Sequence, residues 1–308
     1  MGEISVKIIA DSCSSVSGER ITTFELEYPR FIHAELMTHR VFSRNAMSSR
    51  AVPVKKMIEQ VREDPAMPTH WGKNQPGMQA KEELQGNSLV SVRGMWEDAA
   101  KEAAYIANKM DICKAHKQLV NRILEPFQRM KTVVTSTEWD NFFWLRAHPD
   151  AQPEIKILAE KMLKAMDLAE QELNIISLQP GDWHTPYFGD GYWLKGCGIP
   201  LEEALWISSS CCAQVSYRVL NDSLEKAKDI FKKLIESKPC HASPTEHQAT
   251  PIPRFSPTDH LRGNVWDVEG ITHEDRDGNL WSGNFKGWIQ HRQLIPDNVC
   301  NEYKKFKE

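Results

Sequence analysis

The chain has 308 residues, 41% of them hydrophobic, with 38 basic and 42 acidic side chains and a net charge of −4. That weakly negative field excludes a general nucleic-acid or membrane-surface binder, so any local basic cluster is left to a small anionic ligand. The seven cysteines are odd in number and contain no Cys-x-x-Cys pair, which argues against a zinc ribbon or other metal centre and against a disulfide framework.

The N-terminus has no apolar signal region and no run nears roughly 18 apolar residues, so the expectation is a soluble, cytoplasmic protein without a membrane partner.

In chain order, residues 4–9 and 19–27 read as strands, the second alternating apolar and polar positions with β-branched content. Pro29 suits the first turn of a helix over 30–40 that places Glu35, His39 and Arg40 on neighbouring turns. Residues 63–86, rich in proline, glycine and polar side chains, read as a loop. Helices are expected over 87–112 and 115–126, the second ended by Pro126, followed by a short strand, Met130–Thr135. Two more helices cover Glu138–Ala147 and Gln152–Leu173, where Ile155, Leu158, Met162 and Met166 share one face as core packing. Gly181–Gly198 reads as a loop, Leu201–Tyr217 and Ser223–Ser237 as helices, and Arg254–Trp281 as irregular or β. A strand over Trp281–Leu294 would put Gln290 and Arg292 on one face and His291 on the other. No repeat or linker interrupts the chain. The pattern predicts one α+β domain over 1–308 with elaborated loops at 63–86, 177–200 and 254–280.

Residues 38–50, Thr-His-Arg-Val-Phe-Ser-Arg-Asn-Ala-Met-Ser-Ser-Arg, are the most informative stretch. Four cationic or imidazole side chains, His39, Arg40, Arg44 and Arg50, stand among Ser43, Asn45, Ser48 and Ser49 with no acid between them. Fixed positive charge beside hydroxyl donors suits a phosphate; the same composition also suits an exposed basic loop. Such a run reads as surface, not core. Ser243-Pro-Thr-Glu246 reads as a capping box with proline at the first helical position, whose free N–H groups could meet an anion. Cys240, between Pro239 and His241, could be an activated nucleophile or a small buried thiol.

Three blocks give a resemblance to the flavin-dependent thymidylate synthases. His39-Arg40, seven residues and Ser48-Ser49-Arg50 resemble that family's RHRxxxxxxxS signature, with Thr38 for its first arginine, Ala46 for a glutamate and Glu35 for a glutamine. Phe142-Phe-Trp-Leu-Arg146 with Ala151-Gln152-Pro-Glu154-Ile155 looks like its FxxLRxxxxAQxEI block, and Arg122-Ile-Leu-Glu-Pro126 resembles a phosphate-binding segment. Cys212-Ala-Gln-Val-Ser-Tyr217 and His241-Ala-Ser-Pro-Thr-Glu-His247 resemble two segments that precede the signature in the common form. Here they follow it, so the chain reads as circularly permuted, with the family's mixed helices and antiparallel sheet.

The resemblance implies a fold, an assembly of four chains sharing their sites, and a reaction: dUMP to dTMP with methylenetetrahydrofolate, NADPH and FAD. It implies substrate contacts from Glu35, Ser48, Ser49, Arg50, Arg122 and Arg146, with Arg146 on the pyrimidine as the catalytic residue. FAD contacts fall to His39, Arg40, Asn141, Ser216, His241 and Ser243. Gln214 replaces a family arginine, and a flavin-binding Asn-x-Arg is missing near Thr135–Thr137. Two other readings stay open. Glu35 could accept from a cytosine amino group, which suits a dCMP or dUMP hydroxymethylase. Lost flavin contacts could instead leave a non-catalytic nucleotide-binding protein. The resemblance gives no role to 63–110, 177–200 or 254–280.

Overall fold

The structure, a computed structural model, describes residues 3–215, 220–253 and 265–300. Strands β1 (Ser5–Ser14) and β2 (Arg20–Pro29) form an antiparallel hairpin, with Ser5 opposite Glu27 and Cys13 opposite Arg20. Strand β3 (Ser43–Ala46) and the predicted β4 (Arg129–Ser136) add on one side, and β5 (Ile176–Leu178) runs parallel to β1 on the other. The resulting order is β3-β4-β2-β1-β5. Strand β1 outlasts its expected end at residue 9. Its polar second half stays in the sheet because Asp11 accepts from Arg20 Nε at 2.9 Å and Thr22 Oγ1 at 3.0 Å, so the buried carboxylate is partnered.

The helix expected over 30–40 is much shorter. A 3₁₀ turn, Arg30–Ile32, leads into α1 (His33–Leu36), which stops there. Side chains claim the carbonyls that would continue it. Thr38 Oγ1 donates to the Glu35 carbonyl at 2.7 Å, and Arg44 Nη1 donates to those of Met37 and His39 at 2.9 and 3.0 Å.

Helix α2 (Val54–Glu63) buries Val54, Met57, Ile58 and Val61 at helical spacing. Against it lies α3 (Gly86–Ile112), whose buried face is Ala100, Ala104 and Ala107, small enough for close approach. The helix expected over 115–126 is only α4 (Lys117–Val120) and a 3₁₀ run, Asn121–Phe127, containing Pro126. Pro126 lacks an N–H for helical pairing, and the Asn121 amide donates instead to the carbonyls of Ser49 and Val52 at 2.7 and 3.0 Å.

Helices α5 (Asp140–Arg146) and α6 (Pro153–Gln171) cover one face of the sheet. Gln152 caps α6 by accepting from the Ile155 N–H at 3.3 Å, with Pro153 in the first turn. The expected stripe holds: Ile155, Leu158 and Met162 are fully buried against Phe24, Leu26, Tyr28, Met130 and Val134, and Met166 is partly buried beside them. Each such side chain contributes about 1.5–3 kcal/mol on burial.

The opposite face carries a second sheet. The expected loop over 181–198 holds β6 (Trp183–His184) and β7 (Tyr192–Trp193). Helices α7 (Leu201–Ala213) and α8 (Leu224–Leu234) follow, then β8 (Ala249–Pro251). The end expected for α7, Tyr217, lies outside the described residues.

The strand expected over 281–294 is broken up. A small sheet of β9 (His273–Glu274), β10 (Leu280–Ser282) and β11 (Phe285–Lys286) leads to β12 (Trp288–Gln290) and a 3₁₀ turn, His291–Leu294. Gly283 and Gly287, at φ +60° and +73°, make the reversals that a straight strand would forbid. The second sheet runs β12-β8-β6-β7. Between the layers runs a buried row of hydroxyls and imidazoles. Ser12 Oγ meets His184 Nδ1 at 2.9 Å, His184 Nε2 meets Thr23 at 2.8 Å, Thr23 meets Thr135 at 2.7 Å, and Thr135 meets His247 Nδ1 at 2.8 Å.

No helix among the described residues is long and apolar enough to cross a membrane.

The 63–86 segment is tied to α6 through Glu154, 2% exposed, which accepts from Thr69 N at 2.6 Å and Thr69 Oγ1 at 3.0 Å, and also from Gln152 Nε2. Glu154→Ala leaves these donors unpaired. The expected cost is about 1–3 kcal/mol in urea unfolding, with faster proteolytic cutting within 68–85.

Candidate functional site

Arg146 ends α5 with its guanidinium spread over α1. Its Nη1 donates to Glu35 Oε2 at 3.0 Å, its Nη2 to Thr38 Oγ1 at 3.1 Å and its Nε to His39 Nε2 at 3.0 Å. Three positions of the sequence motif therefore meet one arginine from a block some hundred residues later. Accepting at Nε2 places the single proton of neutral His39 on Nδ1. Burial, with Arg146 and Arg44 close by, lowers the His39 pKa from 6.5 to about 4. The ring stacks on Phe42 and meets the edge of Phe142. Two of the five Arg146 N–H donors are not used in these bonds.

The basic run is less exposed than its composition suggests. Phe42, Ser43 and Ser49 are buried, as is His39, because 43–46 is a sheet strand. Arg40 and Arg50 remain exposed. A second cluster forms where the run leaves β3. Glu125 Oε1 receives Ser49 Oγ at 3.2 Å, Arg122 Nη1 at 2.9 Å and Arg30 Nη2 at 3.0 Å. Two guanidiniums against one carboxylate leave net positive charge. Ser48 Oγ accepts from the Arg50 N–H at 3.3 Å, fixing the turn that carries both residues. Arg30 and Glu125 had no assigned role in the sequence; only their proximity in space identifies them.

Between the clusters stands Arg44, whose pKa burial lowers against the attraction of Glu246. Glu246 in turn is pushed up by burial and down by Arg292 and Arg44. The expected capping box over 243–246 is not formed. The segment is a single 3₁₀ turn starting from Ala242 with no side-chain cap, because Glu246 is drawn away into an ion pair with Arg292. His241 and Ser243 are exposed on this turn, and Asn141 is exposed on α5. Ser216 lies outside the described residues. Gln214 is committed to structure: its amide donates to Ser210 Oγ at 3.0 Å and to the Asn221 carbonyl at 2.8 Å.

Gln290 and Arg292 do not share a strand face, since 291–294 is a 3₁₀ turn. Gln290 is instead a buried hub, donating to Ser43 Oγ at 3.0 Å, Asn284 Oδ1 at 2.8 Å and the Glu246 carbonyl at 3.0 Å. The Cys240 thiol is raised by burial, the opposite of activation.

A cleft of about 1710 Å³ opens beside Arg146 and Glu35, with Thr69, Trp96, Trp144 and Glu154 on its walls. The 63–86 segment, silent in the sequence, supplies one wall. Its anchor lies in the block Ala151–Ile155, where Glu154, itself bonded by Gln152, accepts from Thr69.

Residues 6–169, more than half the chain, match the model of the thymidylate synthase complementing protein family. The chain belongs to this family, the flavin-dependent thymidylate synthases. The match runs from β1 to the end of α6 and so contains both arginine clusters. Among solved structures, the UMP/dUMP methylase PolB of Streptomyces cacaoi, bound with 5-Br UMP, is 18% identical with a TM-score of 0.45, over 55% of this chain and 90% of that one. Thymidylate synthase X of Helicobacter pylori with FAD and dUMP is 16% identical with a TM-score of 0.37, over 50% of this chain and 71% of that one. No curated protein matches the sequence. Membership in the thymidylate synthase complementing protein family places the chain with methyltransferase-type enzymes.

Because neutral His39 accepts from Arg146, the clamp has a pH limit. A histidine whose folded pKa lies below its free value contributes stability above the free value and loses it as pH falls. Stability to urea is therefore expected to drop between pH 6.5 and 4. His33 and His291, also lowered to about 4, and His184 and His247, lowered to about 3, add with the same sign. His39→Gln, keeping an acceptor that does not titrate there, should flatten the slope in this window.

Proposed function

We propose that the protein transfers one carbon to C5 of a deoxypyrimidine monophosphate, converting dUMP to dTMP with methylenetetrahydrofolate as donor and NADPH as reductant. The observation that carries this reading is the convergence of Glu35, Thr38 and His39 on Arg146, within a chain segment of the matching family. The phosphate falls to the Arg122 cluster, where Arg122, Arg30 and exposed Arg50 supply guanidinium donors, Ser49 braces Glu125 through its hydroxyl and Ser48 shapes the turn. Guanidinium pairs hold a phosphate bidentately. The remaining Arg146 donors face the base and stabilise the charge that develops as C5 attacks the methylene carbon. Because Glu35, Thr38 and His39 already fix the guanidinium, little reorganisation is needed at that moment.

The residues present suit FAD in chemistry: Arg40, Ser243 and His241 keep cationic, hydroxyl and imidazole groups exposed, and Asn141 an exposed amide. These four would hold FAD, whose bound form supplies hydride chemistry. Ser216 stays a proposed contact on the resemblance alone. His39, buried and bonded to Arg146, serves the cofactor only through the placement of that arginine. No enzyme nucleophile is required, in keeping with the raised Cys240 thiol. A single domain in the cytoplasm, assembled from four chains, is the setting this reading carries.

The late segments fit a circularly permuted order, since they return in space to the early ones: Asn45 Nδ2 donates to the Cys212 carbonyl at 3.2 Å, and His247 meets Thr135 of β4.

A second reading is favoured by Glu35, whose carboxylate lines the cleft beside Arg146. An acceptor there suits the amino group of cytosine, and water in place of hydride would give a hydroxymethyl product from dCMP or dUMP.

The test is turnover of dUMP and dCMP with the folate donor and NADPH, read by product mass. The purified protein should be yellow and add a methyl group to dUMP. Arg146→Ala should lower kcat by about 10²–10³, while Arg122→Ala should raise KM about tenfold with kcat little changed. A hydroxymethyl product would move the assignment to the second reading. Colourless protein with neither product would overturn both.

A further inference from the structure

Residues 69–84 fold back on themselves as a strap that forms one wall of the cleft beside Arg146. The Leu84 N–H donates to the Trp71 carbonyl at 2.8 Å and the Lys73 N–H to the Glu82 carbonyl at 2.7 Å, which pairs the two arms. At Gly72 the arms press so close that a Cβ there would stand 2.2 Å from the Ala80 Cβ. The root is fixed: Thr69 is held by Glu154, and Trp71 meets the edge of Trp96, whose indole N–H donates to the Ala66 carbonyl at 3.0 Å. Past the root the strap stands alone. Among the described residues, no hydrogen bond or ion pair joins 72–82 to the chain outside the strap.

The fold of the strap depends on His70. Its Nε2 lies 2.6 Å from the Ala80 carbonyl oxygen, and its Nδ1 lies 3.2 Å from Glu83 Oε1. Both partners are acceptors. A carbonyl and an ionised carboxylate have no proton to give, so both contacts attract only when the ring carries both protons. A neutral ring keeps one contact and turns the lone pair of its other nitrogen toward an oxygen. Glu83 is held in this place from the other side, since Oε1 also accepts from the Trp71 N–H at 3.1 Å. On the strap itself, Lys73 is paired with Glu82 at 3.3 Å and Lys81 is exposed. Across the cleft stand Glu154, Lys156 and Glu160 on α6, Arg146, His148 and Asp150 at and after the end of α5, and Glu35 on α1. Among the described residues, only Glu83 forms an ion pair with the ring.

We propose that residues 69–84 are a pH-sensitive strap over the cleft, latched by the doubly protonated ring of His70. Loss of either proton releases one contact. Nothing past the root then replaces it, and the part of the strap that carries Met78, Gln79 and Ala80 along the cleft comes loose. The latched form holds the proton more tightly than the open one, so it is favoured at low pH and lost as pH rises. This sign is opposite to that of the His39 clamp, which fails on the acid side. The inference concerns access to the cleft and stands apart from the reaction proposed above.

The test is hydrogen exchange on the full chain at about pH 6 and about pH 8, across the range in which imidazoles ordinarily titrate, with protection corrected for the intrinsic rate at each pH. Protection of the Lys73 and Leu84 amides should fall about three- to fivefold from the lower pH to the higher, the scale of one partly exposed ion pair. Amides of β2 and β4 should change by less than about twofold. His70→Gln offers the Ala80 carbonyl a donor that does not titrate, so the strap should be equally protected at both pH values. Glu83→Gln should also remove the pH dependence, because its amide donates to a neutral Nδ1 while its oxygen keeps the Trp71 N–H. Equal wild-type protection at both pH values overturns the inference. A fall that survives in either variant also overturns it, by moving the effect to another group such as His148. So does a fall shared equally by β2 and β4, which would make the opening global.

Discussion

The pairing of β3 onto β4 is the constraint around which the site is built. Four residues, Ser43 to Ala46, lie antiparallel to Thr135 to Thr132. This short edge fixes the chain on both sides of it. Before β3, it sets Arg44 against the carbonyls that end α1, which in turn leaves Glu35, Thr38 and His39 facing Arg146. After β3, it delivers Ser49 to Glu125 and the Arg122 cluster. So short an edge cannot hold by backbone bonds alone. Its polar side chains add anchors from the late part of the chain: Ser43 from Asn284 and Gln290, and Asn45 through the Cys212 carbonyl. The two arginine clusters are thus positioned by one strand that is itself secured by residues 167 to 247 positions away.

Charge around α1 follows a consistent rule. Arg30, Arg122, Arg44, Arg292 and Arg146 all meet carboxylates or carbonyls of the chain, yet guanidiniums outnumber the acids Glu125, Glu246 and Glu35. Each acid orders its arginines without cancelling them. The arginines are held in fixed orientations, and a surplus of positive charge is left around them. Imidazoles nearby do not share this charge, because burial and the same arginines hold His33 and His39 neutral.

Much of this was legible in the sequence where a periodic pattern met a clear physical requirement. The stripe Ile155, Leu158, Met162 and Met166 read as core because four apolar positions on one helical face suit packing. The blocks that carry His39 and Arg146 were readable from their spacing, and the fold brings the two side chains within 3.0 Å of each other. Strand β3 was not. Ser-Arg-Asn-Ala has neither alternation nor β-branched content, and only partners distant in sequence make a strand of it. The same limit hid Gln290, whose role depends on Ser43 and Asn284. Helix ends failed for a related reason: Arg44 stops α1 through carbonyls, and Glu246 abandons its cap for Arg292. Both are tertiary choices that override a local preference.

The buried row from Ser12 through His184, Thr23 and Thr135 to His247 has a consequence of its own. Each hydroxyl passes on one proton, and each neutral imidazole has a single N–H to offer. All members must therefore point the same way along the row, and turning one obliges the rest to turn. The row also spans three strands of the first sheet and two segments of the second layer. A one-residue slip in β2 would swing Thr23 to the other face and take a partner from His184, and a slip in β4 would swing Thr135 away from His247, each in a dry interior. The row thus acts as a combination lock on strand pairing, open only when every register is right at once.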